Sequence, residues 1–302
     1  MPFFSSSSKP QLGRLYYEIR VDACAHHNAG ATGGAMESAG EAPTIVFMSS
    51  ILCDSAMWTP FIEALVASEF PTPFRAVMID HASHGQSDPL RTPFSLEDEA
   101  TAVCELLDSI DVTKGIFCGC SWGGHTAVHC ALQRPSLVEQ LWIMSSSLDG
   151  GSSSFFGGYM MPALIKTTGH TRFFASQVAR AFLPAASAAK YTDFIHDMTR
   201  KMATGGMLTA WRSVILMRSD LEPRLREIEC PTLLIGGEED SGPSPATVER
   251  QAGLFTGVKE RNPKHICKHH IILASSHLCM VDKADEVAQV VADFYNALLS
   301  GS

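Results

Sequence analysis

The chain has 302 residues, 45% hydrophobic and 18% charged, enough for one large core or two smaller ones. Its formal net charge of −9 excludes nucleic acid or an anionic membrane surface as the main partner, since both need a basic face. No run reaches the ~20 apolar residues of a membrane-spanning helix, and residues 1–11 lack the apolar centre of a secretory signal.

Leu15 to Val21 alternates weakly and is expected to be the first strand. Residues 23–42, rich in Ala, Gly, Ser and His, read as a flexible surface insertion, with His26 and His27 on a solvated loop. A buried strand is expected from Pro43 to Met48, then a loop over Ser49–Asp54 and a helix from Met57 to Glu69. Phe74–Asp80 is the next strand and runs into the polar turn Asp80–Ser87. Ser95-Leu-Glu-Asp98 has the spacing of a capping box and opens a helix with Ala102, Val103, Leu106, Leu107 and Ile110 on one face. Further strands are expected at Gln140–Ser145, Cys230–Gly237 and His270–Ala274, and a last helix at Ala284–Leu299. Strands that are apolar throughout and alternate with helices predict a parallel sheet covered on both faces. Residues 146–223 break the alternation and read as helical. The nine cysteines include Cys104, Cys118 and Cys130 inside expected strands and helices; free thiols of this kind point to a reducing compartment, and the cytoplasm is the expected location.

The strongest local signal is Gly119-Cys120-Ser121-Trp122-Gly123-Gly124, between the run Lys114–Cys118 and a helix that ends before Pro135. Strand, Gly-x-Ser-x-Gly, helix is the context of a nucleophile elbow, a turn so tight that side chains at the glycines would collide. Ser121 then sits at a helix N-terminus, near free N–H donors. A serine needs a positioned base to act as nucleophile at neutral pH. In a parallel sheet such groups gather at the carboxyl ends of strands. Two ends supply them: Glu238, Glu239 and Asp240 after one strand, His277 after another. His265, His269 and His270 are alternatives within or before the last strand. The spacing His265-x-Cys267-x-His269 lacks a second ligand pair, and no metal is expected.

These motifs, with Asp80 through His84-Gly85-Gln86-Ser87 and Ser276-His277-Leu278, resemble the α/β-hydrolase superfamily from about Leu15 to Leu299. The resemblance implies an α/β fold: a mostly parallel eight-stranded sheet flanked by helices, with a helical cap inserted after strand 6. It divides the chain into a first core part (1–146), a cap (147–223) and a second core part (224–302). It places the acid three residues after Gly237, at Asp240, with Glu238, Glu239 and then Asp149 as alternatives. His277 becomes the base and Ser121 the nucleophile. The backbone N–H of Trp122 and that of Ile51, after the Pro43–Met48 strand, become the oxyanion donors. Ser49-Ser50 departs from the His-Gly that is commonest at that loop.

The Ser49–Asp54 loop with Met57-Trp58, the stretch Asp220–Ile228 and Ser276-His277-Leu278 resemble the 3-oxoadipate enol-lactonase branch in particular. Members of that branch hydrolyse small lactones or esters without a cofactor. A serine at the elbow argues against the epoxide hydrolases and haloalkane dehalogenases, which use Asp there. The expected substrate pocket draws on Trp122, Phe155, Met160, Met207 and Trp211, with Phe156 and Met161 nearby. Sparse charge around them favours an apolar or aromatic substrate, unless Lys166, Arg172, Arg180 or Arg212 points inward. Three functions follow: a serine hydrolase of esters or lactones, a carbon–carbon bond hydrolase or lyase on a polyketide-like or ring-cleavage product, and a slow-turnover ligand receptor. The expected partner is a small-molecule substrate; a homodimer is left open.

Overall fold

The computed structural model of the chain describes residues 2–22, 42–68, 70, 73–152, 156–257 and 266–300. The expected insertion at 23–42, with His26 and His27, lies outside them apart from Ala42; Phe155 and His265 lie outside as well.

Eight strands form one sheet: β1 (Phe3–Ser5), β2 (Arg14–Asp22), β3 (Thr44–Met48), β4 (Phe74–Ile79), β5 (Gly115–Cys120), β6 (Val138–Met144), β7 (Thr232–Gly237) and β8 (Cys267–Ile272). Their order is β1-β2-β4-β3-β5-β6-β7-β8. β1 and β2 are antiparallel to their neighbours, and the remaining strands run parallel. β5 and β7 are buried along their whole length, and β3 is buried from Ile45 on. This is why these strands read as unbroken apolar runs. β8 closes the edge, with Lys268, His269 and His270 exposed.

Helix α1 (Thr59–Ala67) packs against the C-terminal helix Ala284–Ser300, and α2 (Leu96–Ser109) packs against α3 (Trp122–Gln133). Ser95 caps α2 by accepting the Asp98 N–H at 3.0 Å, as its spacing predicts. Between β6 and β7 the described residues form α4 (Met161–Thr168), α5 (Arg172–Phe182), α6 (Ala185–Thr199) and α7 (Thr204–Trp211), joined to wider turns at Phe156–Met160 and Arg212–Leu216. α5 buries Phe174, Ala175, Val178 and Ala179, a helical stripe that lies on α6. Among the described residues no helix is long and apolar enough to cross a membrane.

The sequence reading misses β1. Three residues at a sheet edge are too short to carry a period. It also places the last strand three residues late: pairing runs from Cys267 opposite Thr232 to Ile272 opposite Gly237.

Candidate active site

β5 ends at Cys120 and α3 starts at Trp122, so Ser121 must reverse the chain alone. It does so at φ 53°, ψ −108°, a conformation that costs a non-glycine residue of order 1–3 kcal/mol. Surrounding bonds hold it there. The Ser121 N–H donates to the Met144 carbonyl at 2.9 Å, and the Ser121 carbonyl accepts the His125 N–H at 3.1 Å.

The two glycines are needed for different reasons. A Cβ on Gly119 would lie 2.3 Å from the backbone of Gly123, across the turn. One on Gly123 would lie 2.0 Å from the Met48 carbonyl oxygen, on the neighbouring strand β3. Neither obstacle is a side chain that can swing away. Gly123→Ala is therefore expected to lose roughly 3–5 kcal/mol of stability or fail to fold. A denaturation midpoint equal to that of the parent would contradict so close an approach.

His277 follows β8 and Asp240 follows β7, and their side chains meet. Asp240 Oδ2 accepts from His277 Nδ1 at 2.9 Å, and both residues are buried. Oδ1 of the same carboxylate accepts the Gly242 N–H at 2.8 Å. The Phe182 ring lies 4.9 Å from the His277 ring, and the Phe182 carbonyl accepts the Leu278 N–H at 2.9 Å. The other candidate acids point elsewhere. Glu238 is exposed and accepts the Ala274 N–H, Glu239 is exposed, and Asp149 pairs with Arg218 at 2.8 Å. His269 and His270 are exposed on β8.

Ser121, His277, Trp122 and Ile51 line one cavity of about 190 Å³. No hydrogen bond joins Ser121 Oγ to another group among the described residues; catalytic hydrogen bonds commonly tighten only when substrate is bound. The N–H groups of Trp122, at the first position of α3, and of Ile51 likewise have no partner among the described residues. The loop carrying Ile51 is anchored on both sides: the Ser50 N–H donates to Met57 Sδ at 3.2 Å, and the Leu52 N–H to His84 Nε2 at 2.8 Å. Burial pushes His84 down to about 3, so at neutral pH its ring is uncharged and Nε2 can accept.

The pocket walls differ in part from those expected. Trp211 lines the cavity, its indole N–H held by the Gly157 carbonyl at 2.7 Å. Met207 does not. It faces α4 beside Gly169 and is fully buried, because α7 turns that side inward to the other helices. Met160 does not either: it sits on the wide turn before α4 and is 51% exposed. Trp122 borders the cavity, but its indole is only 1% exposed and packs underneath, between His81 and Phe94. Phe182, Val214, Ile215 and Pro243 also line the cavity and were not singled out from sequence. Nor was Arg218, whereas Lys166, Arg172, Arg180 and Arg212 are not among the lining residues. Asp149 and the Val214 carbonyl take up the Arg218 guanidinium.

The sequence pattern of the alpha/beta hydrolase family matches residues 45–290, most of the chain. The chain belongs to the alpha/beta hydrolase family. Among curated members of known name it is similar to 3-oxoadipate enol-lactonase 1 of Acinetobacter baylyi, with 26% identity over 265 residues, 85% of this chain and 90% of that one. It is also similar to the 2-hydroxy-6-oxononadienedioate/2-hydroxy-6-oxononatrienedioate hydrolase of Paraburkholderia xenovorans, at 25% over 273 residues, 84% and 86% of the two chains. The crystal structure of the enol-lactonase from Burkholderia xenovorans LB400 superposes with a TM-score of 0.76 at 23% identity, over 98% of this chain and 100% of that one. That likeness establishes the shared hydrolase fold.

Proposed function

We propose that this hydrolase cleaves an ester or lactone of a small apolar or aromatic substrate through an acyl-enzyme, without a cofactor. One observation carries the reading: the 2.9 Å His277–Asp240 bond opens onto the same cavity as the strained Ser121. Ser121 Oγ attacks the carbonyl while His277 Nε2 takes its proton. Asp240 holds the imidazole tautomer through Nδ1 and balances the imidazolium that forms. The tetrahedral oxyanion is met by the Trp122 and Ile51 N–H groups, each worth about 3 kcal/mol of barrier. The leaving oxygen departs with the His277 proton. Water then repeats the sequence on the acyl-enzyme and frees Ser121.

The walls support the substrate class. Phe182, Trp211, Val214, Ile215 and Pro243 are apolar, and the fixed charge of Arg218 is neutralised by Asp149. A cavity of about 190 Å³ suits a small acyl group. The similarity to an enol-lactonase adds a lactone to the list of candidates.

A second reading keeps the three residues and changes the bond: cleavage of a carbon–carbon bond in a polyketide-like or ring-cleavage product. Similarity to the Paraburkholderia hydrolase along most of both chains favours it. A panel of nitrophenyl esters, small lactones and β-diketones separates the two. We expect multiple turnovers on esters or lactones. Turnover confined to the β-diketones transfers the assignment to carbon–carbon cleavage. Turnover of none leaves a slow-turnover receptor on the same fold.

A further inference from the structure

Beneath the two oxyanion donors lies a carboxylate that no step of the proposed reaction uses. Glu99, in the first turn of α2, is fully buried. A carboxylate keeps such a place only when donors surround it. Here Oε1 accepts the Ala82 N–H at 3.0 Å, and Oε2 accepts the Trp122 indole N–H at 2.7 Å and the Thr126 hydroxyl at 3.3 Å. His81 Nδ1, equally buried, lies 3.1 Å from Oε2 without making a hydrogen bond to it.

His81 carries this anchorage to the other donor. Its ring stacks on the Trp122 indole with centroids 4.1 Å apart and planes 14° from parallel. Its Nε2 faces the Ser49 carbonyl at 3.0 Å and donates to it. The same carbonyl accepts the Gly123 N–H at 3.0 Å. Ser49 stands two residues before Ile51, and Gly123 one residue after Trp122. The Glu99–indole bond, the indole–imidazole stack and two bonds to the Ser49 carbonyl therefore connect the chain beside each donor, with Glu99 at one end.

We propose that Glu99 is a positioning residue which, through His81 and the Trp122 indole, fixes the Ile51 and Trp122 N–H groups relative to each other. The proposal rests on the serine-hydrolase reading above. The donors must meet an oxygen that acquires charge only in the transition state. A shift of either donor costs rate and leaves ground-state binding nearly unchanged.

Three substitutions test it. Glu99→Leu removes the acceptors at similar volume. Glu99→Gln keeps an acceptor oxygen. Trp122→Phe keeps the backbone N–H and the stacked ring but removes the indole donor. Each is measured by nitrophenyl-ester kinetics and by the rate of labelling with a fluorophosphonate, under conditions where near-ultraviolet circular dichroism shows the native fold. Glu99→Leu and Trp122→Phe are expected to lose on the order of 10- to 100-fold in kcat and in labelling rate, with KM within about twofold of the parent. Glu99→Gln is expected to recover to within about threefold. A folded Glu99→Leu with parental kcat overturns the proposal, as does a Glu99→Gln as slow as Glu99→Leu. If Glu99→Leu does not fold, Trp122→Phe decides, and parental rates in it are equally fatal. A parent that is neither labelled nor active sinks the serine-hydrolase reading itself. A parent that is labelled but turns over no ester leaves the labelling rates to decide the role of Glu99.

Discussion

Ser121→Ala is expected to abolish labelling by a fluorophosphonate and to lower turnover of any ester or lactone accepted by the parent roughly 10⁴- to 10⁶-fold. The thiol next in the chain, Cys120, is no substitute: it is fully buried, and desolvation pushes it well above the usual range. Its Sγ lies instead against the His277 carbonyl at 3.9 Å. Stability should hardly change, because the Oγ makes no hydrogen bond among the described residues and the bonds that fix the elbow are made by backbone atoms. Unaltered denaturation with lost activity is thus the predicted pair of results. Equal labelling of parent and variant would remove Ser121 as nucleophile.

Asp240→Asn is expected to cost about 10⁴-fold in kcat with the fold intact. The carboxylate accepts from His277 Nδ1 and from the Gly242 N–H on separate oxygens, so both bonds constrain it. An amide in its place presents N–H₂ to one of these donors. The imidazole then turns its other tautomer outward, and Nε2 carries a hydrogen where it should accept one. Glu238→Gln provides the comparison. Glu238 lies two residues away on the same loop, exposed and bonded to the Ala274 N–H, so its kcat should stay within about twofold of the parent. Equal losses in the two variants would mean that charge near the loop, and not the bond to His277, sustains the reaction.

Much of this arrangement was legible before any coordinates. The strands that lead to Ser121 and Asp240 are buried, so their apolar runs stand out, and the Gly-x-Ser-x-Gly turn between strand and helix is sterically specific. The pocket walls were less readable. Met207 and Trp211 lie four positions apart on one helix and look alike in sequence, yet one faces α4 and the other the cavity. Periodicity shows that a helix has an apolar stripe and does not say which neighbour that stripe meets. Phe182 and Pro243 sit at a helix end and in a loop, where no period exists. Glu99 was hidden in the acidic run Glu97-Asp98-Glu99, which reads as solvated charge at a helix start. A signal was nonetheless present. Leu96, Glu99, Ala100 and Val103 share one helical face, so the carboxylate falls on the buried stripe, where an acid needs a partner.

The bond from the Leu278 N–H to the Phe182 carbonyl has a consequence for how such a protein can diversify. Phe182 ends a helix of the segment between β6 and β7, and Leu278 adjoins the proposed base. That segment also contributes Trp211, Val214 and Ile215 to the cavity walls. The segment that supplies these walls is therefore bonded to the chain beside the proposed base, as Tyr191 Oη and Ser213 Oγ bond it to Val281 and Phe94. A graft of residues 147–223 from another family member would bring new walls with it, but it would have to reproduce a carbonyl at that seam. Modularity in this fold has a fixed joint, and the joint lies one residue from His277.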